Sequence, residues 1–298
     1  VRSSNMTPSE VQLDHRRNAI RDDIADAALE GRVTPRRFVD GAPWFVSTAQ
    51  TPVYPRPDAG RDRDTEALSG EAVTVFEVRD GWAWVQLAHD RYVGFVAAGD
   101  LSPGRPPEPT HVVTSPNALI YAEPTARAPA VAISYLTTRL RARPATESFL
   151  ELETGGFIGR PHVATLGDRE ADFVATAETL LRAPYLWGGK TVRGVDCSGL
   201  VQLCLDRAGI DCPRDTDMQQ AELPGDLELD AETLPPLRRG DLVYWPGHVA
   251  IMIDELRAIH ATAYVMSVTV EPVLDVAARA RGDGPIATAV KRVGQDPS

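Results

Sequence analysis

Three things are scarce in this chain: cysteine, long apolar runs and excess positive charge. Only Cys197, Cys204 and Cys212 occur among 298 residues. An odd, tightly clustered set of this kind does not make a disulfide framework. Nor does it suggest a zinc site, because it contains no C-x-x-C pair. No apolar run approaches the roughly 18–20 residues of a membrane span. Lys and Arg number 31 against 42 Asp and Glu, a formal charge of -11, so the cationic excess that neutralises nucleic-acid phosphates is missing. The opening "VRSSNMTPSEVQLDHRRNAIRDDIADAALEG" is charged and carries no signal-peptide core. We expect a reduced, cytoplasmic protein, although a chain opening on Val1 leaves room for a trimmed leader.

What is present is ordinary globular material, 43% hydrophobic and 24% charged, long enough for two or three domains. Residues 10–31 predict a charged helix, with Val11, Ile20, Ile24, Ala27, Ala28 and Leu29 as its apolar positions and Gly31 as its stop. The texture then turns to strands. "EAVTVFEVRDGWAWVQL" reads as two alternating runs joined at Asp80-Gly81, a hairpin signal. "RYVGFV" follows as a strand, and the Pro-rich "SPGRPPEPT" as a linker. A weak repeat crosses that linker: "TPVYPRPDA" matches "ALIYAEPTA", with Tyr54 opposite Tyr121 and Pro57 opposite Pro124. Two small β-barrels are expected, both resembling bacterial SH3-like domains. The division is a helical arm over 1–37, barrels over 38–105 and 106–167, and a further domain over 168–298.

In that last domain "DREADFVATAETLLRA" predicts a helix ended by Pro184, and "YLWGGKTVRGVD" a glycine-rich loop in which Trp187 reads as core. In "GVDCSGLVQLCLDRAGI", Cys197, Leu200, Val201, Cys204, Leu205 and Ala208 fall on one helical face, closed by Gly209. Cys197 therefore sits in a first turn. Unpaired N–H groups and the helix dipole there favour a thiolate, and the same N–H groups can receive an oxyanion. A buried cysteine that merely packs fits the pattern too; Cys204 and Cys212 read that way. A thiol nucleophile also needs a base steadied by a third group. Of six histidines, His15, His89, His111 and His162 fall in the arm and barrel regions. His248 opens a strand after Pro246-Gly247, and His260 sits in the next, so pairing of those strands would set both imidazoles on one sheet face.

The motifs "PYLWGG", "GVDCSGLVQ", "RDTDMQQ", "RRGDLVYWPGHVAIMI" and "IHATA" resemble, in order and spacing, the NlpC/P60 cysteine peptidases over residues 169–298. With the SH3-like pair ahead, the chain is similar to γ-D-glutamyl-L-diamino-acid endopeptidases of the dipeptidyl-peptidase VI type. The resemblance implies an α+β, papain-like domain with an antiparallel sheet. It implies Cys197 as nucleophile, His248 as base and then acid, and His260 as the ring's support. Tyr185 and the Ser198 N–H would serve the oxyanion. Asp196 would pair with the free α-amine of an N-terminal L-Ala, which would also relieve its repulsion of a thiolate; helix capping is its other role. Asp215 and Thr216 would line the same pocket, and Glu66 and Tyr92 of the first barrel would close it. The implied substrates are murein peptides beginning L-Ala-γ-D-Glu, and no metal or organic cofactor is implied. Two other readings are a cell-wall binding module with an inert catalytic domain, and acyl or amide transfer on the same Cys–His pair.

Overall fold

The computed structural model describes residues 13–60 and 62–294. The first β unit is a five-stranded antiparallel sheet, in spatial order Val93–Ala97, Trp82–Leu87, Ala72–Arg79, Ala42–Val46, Leu101–Pro103. It is joined by the antiparallel pair Gln50–Val53 and Thr65–Leu68. Asp80-Gly81 forms the expected two-residue turn, with Arg79 opposite Trp82. Alternating residues such as Val73, Val75, Ala83, Val85 and Leu87 fill the interior, as period-2 patterning requires.

The helix expected over 10–31 does not form. Val11 lies outside the described residues. From residue 13 the chain runs as turns, a two-residue strand Ala25–Asp26 paired in parallel with Phe38–Val39, and one 3-10 turn at Ala27–Leu29. The barrel competes for the groups a helix would have used. Ala19 and Ile24 bury beside Phe76, Trp84 and Val93. The Arg21 guanidinium lies 4.6 Å above the Trp84 ring and pairs with Glu77, and the Arg16 carbonyl accepts from the Val93 N–H at 2.7 Å. Helices in proteins draw most of their stability from tertiary packing, and here the tertiary partners favour the irregular path.

A second unit of short antiparallel strands occupies roughly residues 110–165. One sheet orders Ala130–Tyr135, Asn117–Tyr121, Phe157–Gly159, Phe149–Leu152, Ala142–Pro144, and a three-stranded sheet centres on His111–Val113. Val113, Ala118, Leu150, Leu152 and Ile158 form its small core.

The last unit is α+β. Helix α1 (Phe173–Thr179) is capped by Asp172, α2 spans Cys197–Ala208, α3 Thr216–Glu222 and α4 Val273–Ala280. Helix α1 is shorter than its periodicity suggests and stops well before Pro184. The sheet is antiparallel throughout, ordered Ser267–Pro272, Arg257–Thr262, His248–Met252, Asp241–Trp245, Ala289–Arg292. Alternation along its strands feeds two layers. Leu242, Tyr244, Val249, Ile251 and Ile259 pack with Leu200, Val201, Cys204 and Leu205 of α2. Val243, Trp245, Ala250, Met252 and Ala258 pack with Val273, Val276 and Ala277 of α4. Gly209 ends α2 at φ +77, a left-handed cap that glycine accepts without strain. All three cysteines are free and buried, and no described helix is long and apolar enough to cross a membrane.

Candidate active site

Helix α2 starts at Cys197 because Asp196 caps it: its Oδ1 accepts from the Gly199 N–H at 2.7 Å. The Cys197 sulfur lies 3.9 Å from the Gly247 carbonyl, and the N–H groups of Ser198 and Val249 point at it and favour its thiolate. Gly247 and Val249 flank His248, so the start of α2 sits on the start of the His248 strand. Burial, then the Asp196 carboxylate, push the thiol up to about 12. Burial, then His260 and Arg279, push His248 down to about 3. Both shifts favour the uncharged forms of the thiol and the imidazole.

The strand pairing brings the two histidines together as anticipated: His248 Nε2 is 2.8 Å from His260 Nδ1. The series continues beyond them. His260 Nε2 is 2.9 Å from Glu271 Oε2, Glu271 is ion-paired with Arg279, and Arg279 lies 4.6 Å above the Tyr264 ring. Sequence reasoning misses Glu271 and Arg279. The signal is the register: Ala258 opposes Glu271 and His260 opposes Thr269, which puts Glu271 diagonally across from His260 on one face.

Around α2 the expectations divide. Tyr185 is half-buried, its hydroxyl pushed up to about 12 by burial, then by Cys197 and Asp196, which puts it beside the thiol. Trp187 is not core but 61% exposed, because its loop turns outward. The Ser198 N–H faces the sulfur, while its hydroxyl accepts from Arg214 at 2.8 Å. Asp196 is not a vacant carboxylate: its Oδ2 takes the Gly188 N–H and the Arg214 guanidinium, each at 2.8 Å. Arg214 is 1% exposed, so the cation that offsets Asp196 is internal.

Glu66 also departs from expectation. It is fully buried, with Oε1 taking Arg63 at 2.6 Å and Gln50 at 3.2 Å, and Oε2 taking the Lys190 N–H at 2.9 Å. Its carboxylate joins the barrel to the catalytic unit, and both of its oxygens accept from protein groups. Beside Asp215 and Tyr92 lies Asp64, two residues earlier, which no reading of the sequence singles out. Its side chain makes no hydrogen bond or ion pair among the described residues, and burial, then Asp215, raise it to about 6. Asp215, the residue before α3, accepts from the Tyr92 hydroxyl at 3.1 Å and from Arg16 at 2.9 Å on the same oxygen. Burial raises Asp215 as well. Thr216 is the half-buried first residue of α3. Arg16 also reaches Asp14 and Asp217. The Arg214 and Arg16 guanidiniums both pull Asp64 and Asp215 down, yet burial leaves each carboxyl raised.

Residues 182–279 match the NlpC/P60 family, and residues 53–101 match the bacterial dipeptidyl-peptidase SH3 domain. The chain is 26% identical over 233 residues to the dipeptidyl-peptidase 6 of Lysinibacillus sphaericus, covering 70% of this chain and 84% of that one. It is 26% identical over 241 residues to the gamma-D-glutamyl-L-lysine dipeptidyl-peptidase of Bacillus cereus, covering 70% of each. Its fold resembles a crystal structure of an NlpC/P60 family protein from Bacillus cereus, with a TM-score of 0.69 and 22% identity over 85% of this chain and 99% of that one.

Proposed function

We propose that this peptidase, an NlpC/P60 domain behind a bacterial dipeptidyl-peptidase SH3 domain, hydrolyses the γ-D-glutamyl–diamino-acid bond of cell-wall peptides with a free N-terminal L-Ala. The observation that carries this is the grouping of Asp64, Asp215 and the Tyr92 hydroxyl, in which burial raises both carboxyls and the Asp64 side chain makes no hydrogen bond or ion pair among the described residues. An ammonium group is small, donates three hydrogen bonds and would pair with these carboxylates. In this reading the barrel, which supplies Asp64 and Tyr92, walls off that side, and the peptide ends there.

Cys197 gives up its proton to His248 as its sulfur attacks the γ-glutamyl carbonyl. The Ser198 N–H and the Tyr185 hydroxyl receive the oxyanion. Collapse of the tetrahedral intermediate expels the diamino-acid amine, which takes the proton back from His248. Water, deprotonated by His248, then opens the thioester and frees L-Ala-γ-D-Glu. In this reading residues 106–167 are a second SH3-like barrel, on the strength of the Tyr54/Tyr121 repeat and the short antiparallel strands of the second unit.

The test compares L-Ala-γ-D-Glu-diamino-acid peptides with their N-acetylated forms. Acetylation is expected to lower kcat/KM at least about 100-fold, since it leaves these carboxylates unpaired. Cys197→Ala should abolish turnover. Equal rates on free and acetylated peptides would overturn the amine pairing, and an active Cys197→Ala the mechanism.

A further inference from the structure

We propose that Glu271 is a positioning residue that selects the tautomer of both active-site imidazoles, with Arg279 holding its carboxylate in place. The inference deepens the cysteine-peptidase reading and rests on it for its kinetic part only.

The argument runs along one line of hydrogen bonds. Glu271 Oε2 is shared by the His260 Nε2 at 2.9 Å and the Arg279 guanidinium. A carboxylate clamped by a guanidinium can only accept, so His260 must carry its proton on Nε2. His260 is 1% exposed and burial lowers its basicity, so the ring is neutral and its Nδ1 is a bare acceptor. That nitrogen is 2.8 Å from His248 Nε2, which must therefore be the donor. His248, itself neutral, is left with its lone pair on Nδ1, the one ring nitrogen not engaged by His260 and the one available to take the thiol proton. The tautomer of the base is thus decided two residues away, at a side chain that touches neither sulfur nor substrate.

Reversing the last assignment shows what is at stake. With the proton on His260 Nδ1, His248 Nε2 would have to accept, and its own proton would move to Nδ1. The base would then present a donor to the thiol and could not deprotonate it. A wrong tautomer of a catalytic histidine is costly even when the ring stays in place. Arg279 adds rigidity: it stacks on Tyr264 at 4.6 Å while pairing with Glu271, and so the carboxylate is held from α4 as well as from its own strand.

The test uses the full chain and three variants. Nitrogen-15 spectra of the wild type at neutral pH should show His248 and His260 both protonated on Nε2. In Glu271→Ala, His260 should become a mixture of Nε2-H and Nδ1-H forms, and kcat should fall about 10–100-fold, with KM within about twofold because no substrate contact is lost. Glu271→Gln keeps an oxygen acceptor for Nε2-H and should recover part of that loss, and Arg279→Met should lie between Glu271→Gln and the wild type. A wild-type His260 protonated on Nδ1, or a Glu271→Ala variant with unchanged kcat, would overturn the proposal. If Glu271→Ala fails to fold, the spectra of the wild type and of Glu271→Gln decide the question alone. Should the wild type not cleave the peptides at all, the proposed reaction falls, while the spectra still establish or refute the tautomers.

Discussion

At Asp64 a carboxyl group is held up at about 6 because it is partly buried and faces Asp215. Pairing with an ammonium needs the ionised form, so binding of a free-amine peptide should weaken as pH falls through about 6. The limb should appear in kcat/KM and be nearly absent from kcat, because a bound ammonium keeps the carboxylate charged. Asp64→Asn should remove that limb and raise KM about 10–100-fold, read from pH–rate profiles of both proteins. The same shift has a stability sign. A folded value above the ordinary 3.8 means the native state binds the extra proton, so stability is lost as pH rises through this window. Asp64→Asn should therefore melt higher than wild type at pH 7, with the gain shrinking towards pH 4. Individual residues differ in how legible they are. Cys197, His248 and His260 can be found from the sequence because each is announced by its surroundings: a capped helix start, a Pro-Gly turn, a neighbouring strand. Asp64 is announced by nothing, since Asp64 and Glu66 are equally plausible until the structure shows both Glu66 oxygens accepting from protein groups and the Asp64 side chain from none among the described residues.

At the scale of elements, α2 depends on a buried ion pair that also shapes the site. Asp196 caps the helix, orders the Gly188 loop and neutralises Arg214, which in turn bonds Ser198 and the barrel's Thr65. Asp196→Ala leaves Arg214 charged in a dry setting and should cost about 3–5 kcal/mol. Asp196→Ala with Arg214→Met should recover much of that in urea titrations, since the double change removes both charges. The period-3.6 face and the Gly209 cap of α2 were readable because local signals and tertiary packing agree there. The region around residues 13–31 was not, because its apolar spacing suits a helix while its real partners, Trp84, Glu77 and the Val93 N–H, are more than fifty residues away. Glu271 was hidden for a related reason: only strand register, not spacing along the chain, sets it beside His260.

For the whole molecule, the seam between the first barrel and the catalytic unit is polar and buried. Glu66 accepts the Lys190 N–H, Lys190 pairs with Glu71, and Gln202 donates to Asp90 at 3.0 Å. Groups so placed are costly to separate without replacement partners. Glu66→Ala should lower the stability of the two units together by about 1–3 kcal/mol, seen by calorimetry as one transition at a lower temperature. Its preference for free over acetylated peptides should stay close to wild type, which distinguishes this joint from Asp64. The fit is tight at the backbone as well. Gly188 has φ +72, and a Cβ there would lie 2.7 Å from the Arg63 carbonyl. A barrel exchanged for one from another protein would thus meet a lock cut for a single key. Such a chimera would have to carry residues 63–66 and Asp90 across with it, or the two halves would fold side by side without the bonds that fasten them.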